Sequence, residues 1–181
     1  MRRMYHKQAG FTLIEILVVV VILGIAGAIV IPQITSRDDL KTSAAARSLM
    51  ADLIYAQNLS ITRQKNYCVI FDTANGSYSI VEASGMTPIT NPVSLNPYVV
   101  KFGPNGSAGL ESTSLESAIF TGQSGTTQAI IGFDELGTPL AYPTAGAPET
   151  MTQGAIILRT GSQRLQVDIE AFTGMISIRK P

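Results

Sequence analysis

Gly10-Phe11-Thr12-Leu13-Ile14-Glu15 is the stretch on which the reading of this chain turns. Upstream of it lies MRRMYHKQAG, which carries Arg2, Arg3 and Lys7 and no acid. Downstream, Ile16 to Ile31 runs for sixteen residues without a charge. A carboxylate at the mouth of a membrane-length apolar segment is expensive, so Glu15 demands a reason. Phe11 to Ile31 is 21 residues, roughly 32 Å as a helix at ~1.5 Å per residue and enough for a bilayer core of about 30 Å. The basic leader then stays cytoplasmic and the remainder is exported.

Together the short motif, the charged leader and the apolar run resemble the type IV prepilin family. The resemblance covers about twenty-five residues. It implies that a membrane aspartic peptidase, the prepilin peptidase, cuts between Gly10 and Phe11. Phe11 then becomes the N-methylated end, and Glu15 takes the place of the family's assembly glutamate. Glycine suits such a cut because it lacks a Cβ. Two plainer readings compete, an ordinary secretory signal with an Ala26-Gly27-Ala28 cleavage site and an anchor that is never cut. The secretory reading fits less well: the apolar run exceeds the usual ~7–15 residues, and it is headed by a glutamate.

The chain of 181 residues has a formal net charge of zero, and only 14% of its residues are charged, against about 25% in typical soluble proteins. Ser, Thr, Gly and Asn take the polar positions, a composition that suits an exported, turn-rich β domain. Without the leader's three cations, ten basic residues face thirteen acidic ones, which is no broad footprint for nucleic acid. Cys68 is the lone cysteine, so no internal disulfide is available, and its place in Tyr67-Cys68-Val69-Ile70-Phe71 reads as a buried, inert thiol in a strand.

Further along, Pro32 marks a break near the outer membrane edge. Gly24, Ala26, Gly27 and Ala28 are small enough for close helix packing. Residues 38–64 form an amphipathic helix opening on Asp38 and Asp39. Its stripe is Ala46, Leu49, Met50, Leu53, Ala56, Gln57, Ser60 and Ile61, with Arg47, Asp52 and Asn58 opposite. From Tyr67 the period becomes two. Strands are expected at 67–72, 77–82, 97–102, 117–121, 127–133, 154–159, 164–170 and 174–179. Thr73-Ala74-Asn75-Gly76 makes a hairpin turn, and loops fill 83–96 and 134–153. The last three strands form a meander.

A long N-terminal helix, half in the membrane and half on an antiparallel sheet, resembles the pilin and pseudopilin architecture. The expected class is therefore α+β, in four parts: leader 1–10, transmembrane helix 11–31, amphipathic continuation 32–66, and a β-rich periplasmic domain 67–181. Three downstream strings sharpen the resemblance: Ala56-Gln57-Asn58-Leu59-Ser60-Ile61, Phe133-Asp134-Glu135-Leu136-Gly137-Thr138-Pro139 and Thr173-Gly174-Met175-Ile176-Ser177-Ile178. Their order resembles the minor pseudopilin H of type II secretion and the related FimT minor pilins, with Gln57 where that family often carries arginine.

The only histidine is His6, in the leader, so the processed chain has no Ser-His-Asp, Cys-His or histidine-metal chemistry. Gly103 to Gly109 reads as a strand-connecting loop, and Asp134-Glu135 as a turn. No metal, cofactor or enzymatic activity is expected. The expectation is a structural subunit in the bacterial inner membrane, single-pass, with its N-terminus cytoplasmic. Its partners would be the prepilin peptidase, other pseudopilins or pilins, the inner-membrane assembly platform and membrane lipid. The resemblance implies that it initiates or caps a type II secretion pseudopilus for protein export. The alternative is a FimT-like minor pilin of a type IV pilus that binds DNA through Arg159, Arg164, Arg179 and Lys180. Those four residues are read in preference as solvated charges balanced by Asp168 and Glu170.

Overall fold

A computed structural model of the chain describes residues 11–30, 32–143 and 146–181. It separates into two units, Met1–Arg37 and Asp38–Pro181. In the first, helix α1 spans Leu13–Val30. After Glu15 its sequence offers only apolar side chains and glycine, and those from Leu13 to Ile25 stand exposed, with Leu13 at 85% and Val19 at 46%. Neither Gly24 nor Gly27 has any other group within 4 Å of where a Cβ would stand. The helix starts two residues later than the span expected over 11–31, because Thr12 caps it. Ile31 lies outside the described residues. The 18 residues of α1 make roughly 27 Å at ~1.5 Å per residue. Among the described residues no helix is long and apolar enough to cross a membrane.

Helix α2 spans Pro32–Arg63. It opens with Pro32, as a helix can where the missing N–H has no partner to lose. The continuation expected from residue 32 is helical, but Asp38 and Asp39, expected in a first turn, lie inside the helix. It ends at Gln64, whose φ of 51° is left-handed, while the Lys65 N–H donates back to the Ser60 carbonyl at 3.3 Å.

Among the described residues eleven strands follow, all pairing antiparallel: β1 Tyr67–Asp72, β2 Ser77–Glu82, β3 Thr87–Pro88, β4 Val99–Lys101, β5 Ser114–Gly122, β6 Thr127–Gln128, β7 Ile130–Phe133, β8 Pro139–Ala141, β9 Glu149–Thr160, β10 Gln163–Ile169 and β11 Ile176–Arg179. Their order is β11-β10-β9-β8-β7-β1-β2-β3, with β4 on β2, β5 on β9 and β6 on β5. The expected β1–β2 hairpin forms with Asp72 opposite Ser77, and its turn is permitted by Gly76 at φ 59°. β9, β10 and β11 make the expected meander.

Two loop expectations are corrected. Within 134–153, β8 and the first residues of β9 are strands, and they pair Leu140 with Thr150. Within 83–96, the short β3 pairs with β2 at Val81 and Glu82. Proline sits in β3 and β8 at strand ends, where a missing donor is tolerated. Strand β5 begins at Ser114, three residues before expectation. A bulge between Leu115 and Ser117 interrupts the alternation there.

The core of the second unit lies between α2 and the sheet. Ala45, Ala46, Leu49, Leu53 and Ala56 are fully buried with Val69, Ile80, Phe120, Ile131, Phe133, Ile156, Leu158 and Val167. Each buried leucine contributes about 1.5–3 kcal/mol, and the alanines let helix and sheet approach. The ring of Phe71 packs on Tyr78 and Phe120, each with centroids 5.6 Å away. A smaller cluster of Cys68, Val81 and Tyr142 forms separately. It exists because position 132 is glycine: a Cβ there would strike the Tyr142 ring. Burial of Cys68 matches expectation and pushes its thiol up to about 12.

Candidate functional site

Gly10, the residue expected to precede the cut, lies outside the described residues, as do Arg2, Arg3, His6 and Lys7. The described part of the motif begins at Phe11, 78% exposed. Thr12 and Glu15 then hold each other. Thr12 Oγ1 accepts from the Glu15 backbone N–H at 3.3 Å, and Glu15 Oε2 accepts from the Thr12 backbone N–H at 3.4 Å. The Thr12 carbonyl accepts from Glu15 and Ile16 at 3.1 and 3.3 Å. This is a reciprocal capping box, satisfying donors that a helix start otherwise leaves open, and it sets an acid where the helix dipole favours one.

Thr12 was absent from the site expected from sequence. The signal that finds it is Thr-x-x-Glu directly before an apolar run. Within one chain, Glu15 is therefore not an orphan: one carboxylate oxygen touches a backbone N–H one residue beyond Phe11. The other oxygen makes no hydrogen bond among the described residues, and the acid stays solvent-facing in this helix.

Three of the four basic candidates, Arg159, Arg164 and Arg179, lie together at one end of the meander. Arg159 and Arg164 are direct cross-strand partners, and Arg179 faces Gln166, two residues along β10. Strand alternation puts all three arginines on one face. Two of them are already paired with acids. Arg164 Nε donates to Glu116 at 2.9 Å, and Arg179 forms a two-armed pair with Asp168, which holds its guanidinium further toward the charged form. Arg159 Nε donates to the Gly161 carbonyl at 2.8 Å. Lys180 is exposed in the tail. Asp168 thus does the balancing expected of it, whereas Glu116 takes the place expected of Glu170.

Asp134 and Glu135 form the expected turn. Asp134 Oδ1 accepts from the Leu136 and Thr138 backbone N–H groups at 2.9 and 2.7 Å. The carbonyl of Gly137, a residue at φ 85°, accepts from Gln57 Nε2 at 2.9 Å. Gln57 thus ties α2 to the β7–β8 turn. Among the described residues no group of three His, Cys, Asp or Glu side chains could hold a metal ion.

The N-terminal segment matches the family profile described as the prokaryotic N-terminal methylation motif, over residues 5–31. Two curated relatives carry the description type II secretion system core protein G. One, from Pseudomonas aeruginosa, is 70% identical over 34 residues, 19% of this chain and 24% of that protein. The other, from Escherichia coli, is 31% identical over 99 residues, 54% of this chain and 65% of that protein. The chain therefore spans about a quarter and just under two thirds of these relatives.

Among solved structures, the minor pseudopilin EpsH of the Vibrio cholerae type 2 secretion system aligns with 78% of this chain and 98% of its own, at 11% identity and a TM-score of 0.46. The type IV minor pilin FimU of P. aeruginosa aligns with 76% of this chain and 91% of its own, at 16% identity and a TM-score of 0.45. The chain thus carries a prokaryotic N-terminal methylation motif at the start of an α+β protein.

Proposed function

We propose that the protein is a structural subunit of a type II secretion pseudopilus, a minor pseudopilin that helps initiate or cap the filament used for export across the outer membrane. The observation that carries this reading is the capped, acid-bearing start of an otherwise uncharged helix inside the matched methylation motif. Similarity to type II secretion core protein G supports the system, and the β-rich head supports a pilin-type subunit.

In this account the prepilin peptidase cuts between Gly10 and Phe11 and methylates the Phe11 amine. The apolar helix holds the chain in the inner membrane, with the head in the periplasm. On assembly, Glu15 exchanges its weak contact with Thr12 for the cationic amine of a neighbour's Phe11. Desolvation strengthens a matched pair and penalises a mismatched one, so the contact sets register. The assembly platform and the other pseudopilins are the remaining partners.

Glu15→Leu tests this: the precursor is shortened normally, but incorporation into filaments and secretion fall. A variant that assembles like the original contradicts the pairing. The type IV pilus reading, with nucleic acid on Arg159, Arg164, Arg179 and Lys180, is disfavoured by the acids already engaged, since phosphate binding rests on uncompensated cations. Head domain starting at Asp38 should therefore not shift DNA in a gel at low salt. A shift that weakens with salt would favour the pilin reading.

A further inference from the structure

The chain has two Asn-Gly pairs, Asn75-Gly76 and Asn105-Gly106, and the fold treats them differently. Both asparagines are exposed in turns. Before a glycine, the asparagine Cγ is open to attack by the following backbone nitrogen, since no Cβ obstructs it. At the second pair that nitrogen is engaged: the Gly106 N–H donates to the Gly103 carbonyl at 2.7 Å. Gly106 is also wedged against backbone, with the Lys101 carbonyl oxygen 2.6 Å from where a Cβ would stand. At the first pair the Gly76 N–H has no hydrogen-bond partner among the described residues; only the Gly76 carbonyl is used, accepting from Phe102 at 2.8 Å.

We propose that Asn75 is a site of self-modification, converting through a cyclic imide to aspartate and isoaspartate well ahead of Asn105. The Gly76 nitrogen loses its proton and attacks Asn75 Cγ, forming a new C–N bond. The Cγ–Nδ2 bond breaks and Nδ2 leaves as ammonia with that proton. Water then opens the ring at either carbonyl, leaving a carboxylate.

The consequence falls on Asp72. In the unmodified turn both of its oxygens are held by Asn75: Oδ1 accepts from the backbone N–H at 3.0 Å and Oδ2 from Nδ2 at 2.6 Å. Conversion removes the Nδ2 donor and sets a second carboxylate beside the first. The same cleft, of about 430 Å³, is lined by Lys101 and Asn105. Its one acid and one base become two acids and one base, and the tip of the β1–β2 hairpin acquires negative charge after folding.

The test is a peptide map of full-length, detergent-solubilised protein held in mildly alkaline buffer. Trypsin cuts after Lys65 and Lys101, placing Asn75 on peptide 66–101 and Asn105 on 102–159. Fragmentation and isoaspartyl-methyltransferase labelling should locate the change at Asn75, with Asn105 converting about fivefold or more slowly, the penalty of first breaking one backbone hydrogen bond. Unfolding in urea should bring the two rates together, and Asn75→Gln should abolish the signal on 66–101 alone. Asn105 converting as fast as Asn75 in the folded protein would overturn the proposal. So would an Asn75 that stays intact in the fold over a period in which the unfolded chain converts.

Discussion

Two tyrosine hydroxyls, of Tyr78 and Tyr98, donate to the carboxylate of Asp52 at 2.6 and 2.9 Å, one to each oxygen. Burial pushes that carboxyl above its ordinary value of 3.8, and the two hydroxyls oppose the shift only in part. Because the folded value lies above the unfolded one, the group's stabilisation is complete below pH ~4 and is lost as pH rises through the folded value. Asp72, Glu82 and Glu149, each held low chiefly by hydrogen bonds from Asn75, Lys65 and Ser124 respectively, act oppositely and gain as pH rises. Asp52→Asn keeps hydrogen-bonding groups for both tyrosines and removes the titration. Its urea midpoint should therefore improve relative to the parent between pH 4 and 7. Asp52→Ala should lose about 2 kcal/mol near pH 4 and less near pH 7. A parent–Asn difference that does not move with pH would contradict this role.

The helical period placed Asp52 opposite the stripe, with Arg47 and Asn58. It lies instead on the stripe's flank, one turn from Leu49 and Ala56, where two aromatic hydroxyls from distant strands meet it. Nothing in the local sequence announces those tyrosines. The Thr12–Glu15 box, in contrast, is wholly local and legible as Thr-x-x-Glu before an apolar run.

Among the elements, α2 buries three alanines and two leucines against the sheet, so its seating rests chiefly on Leu49 and Leu53. Leu53→Ala should cost about 2–5 kcal/mol in denaturant unfolding of the head. A loss under 1 kcal/mol would mean that the helix is not seated as described. Element types were mostly readable, because the period shifts from helical to alternating at Tyr67 and turns are marked by Asn75-Gly76 and Gly161. The strands without a sequence signal, β3, β8 and the start of β9, sit in Pro-, Gly- and Thr-rich sequence. β3 is held by register with β2, and β8 and β9 by register with β7 and with each other, pairings without a local signature.

Across the whole molecule, an apolar helix with one acid in its first turn precedes a second unit, Asp38–Pro181, which holds all the buried core residues found among the described residues. That division follows directly from composition: charge is cleared from residues 16–31, and hydrogen-bonding residues fill the turns beyond. Under the proposed function, such a design serves a subunit that is drawn from a membrane into a filament. Under that function, the chain enters the filament route by cleavage after Gly10. Intact mass spectrometry of the membrane-extracted protein tests it most directly. The account predicts a mature chain that begins at Phe11 and carries one N-terminal methyl group; a chain that retains Met1, or one that begins after Ala28, would contradict it.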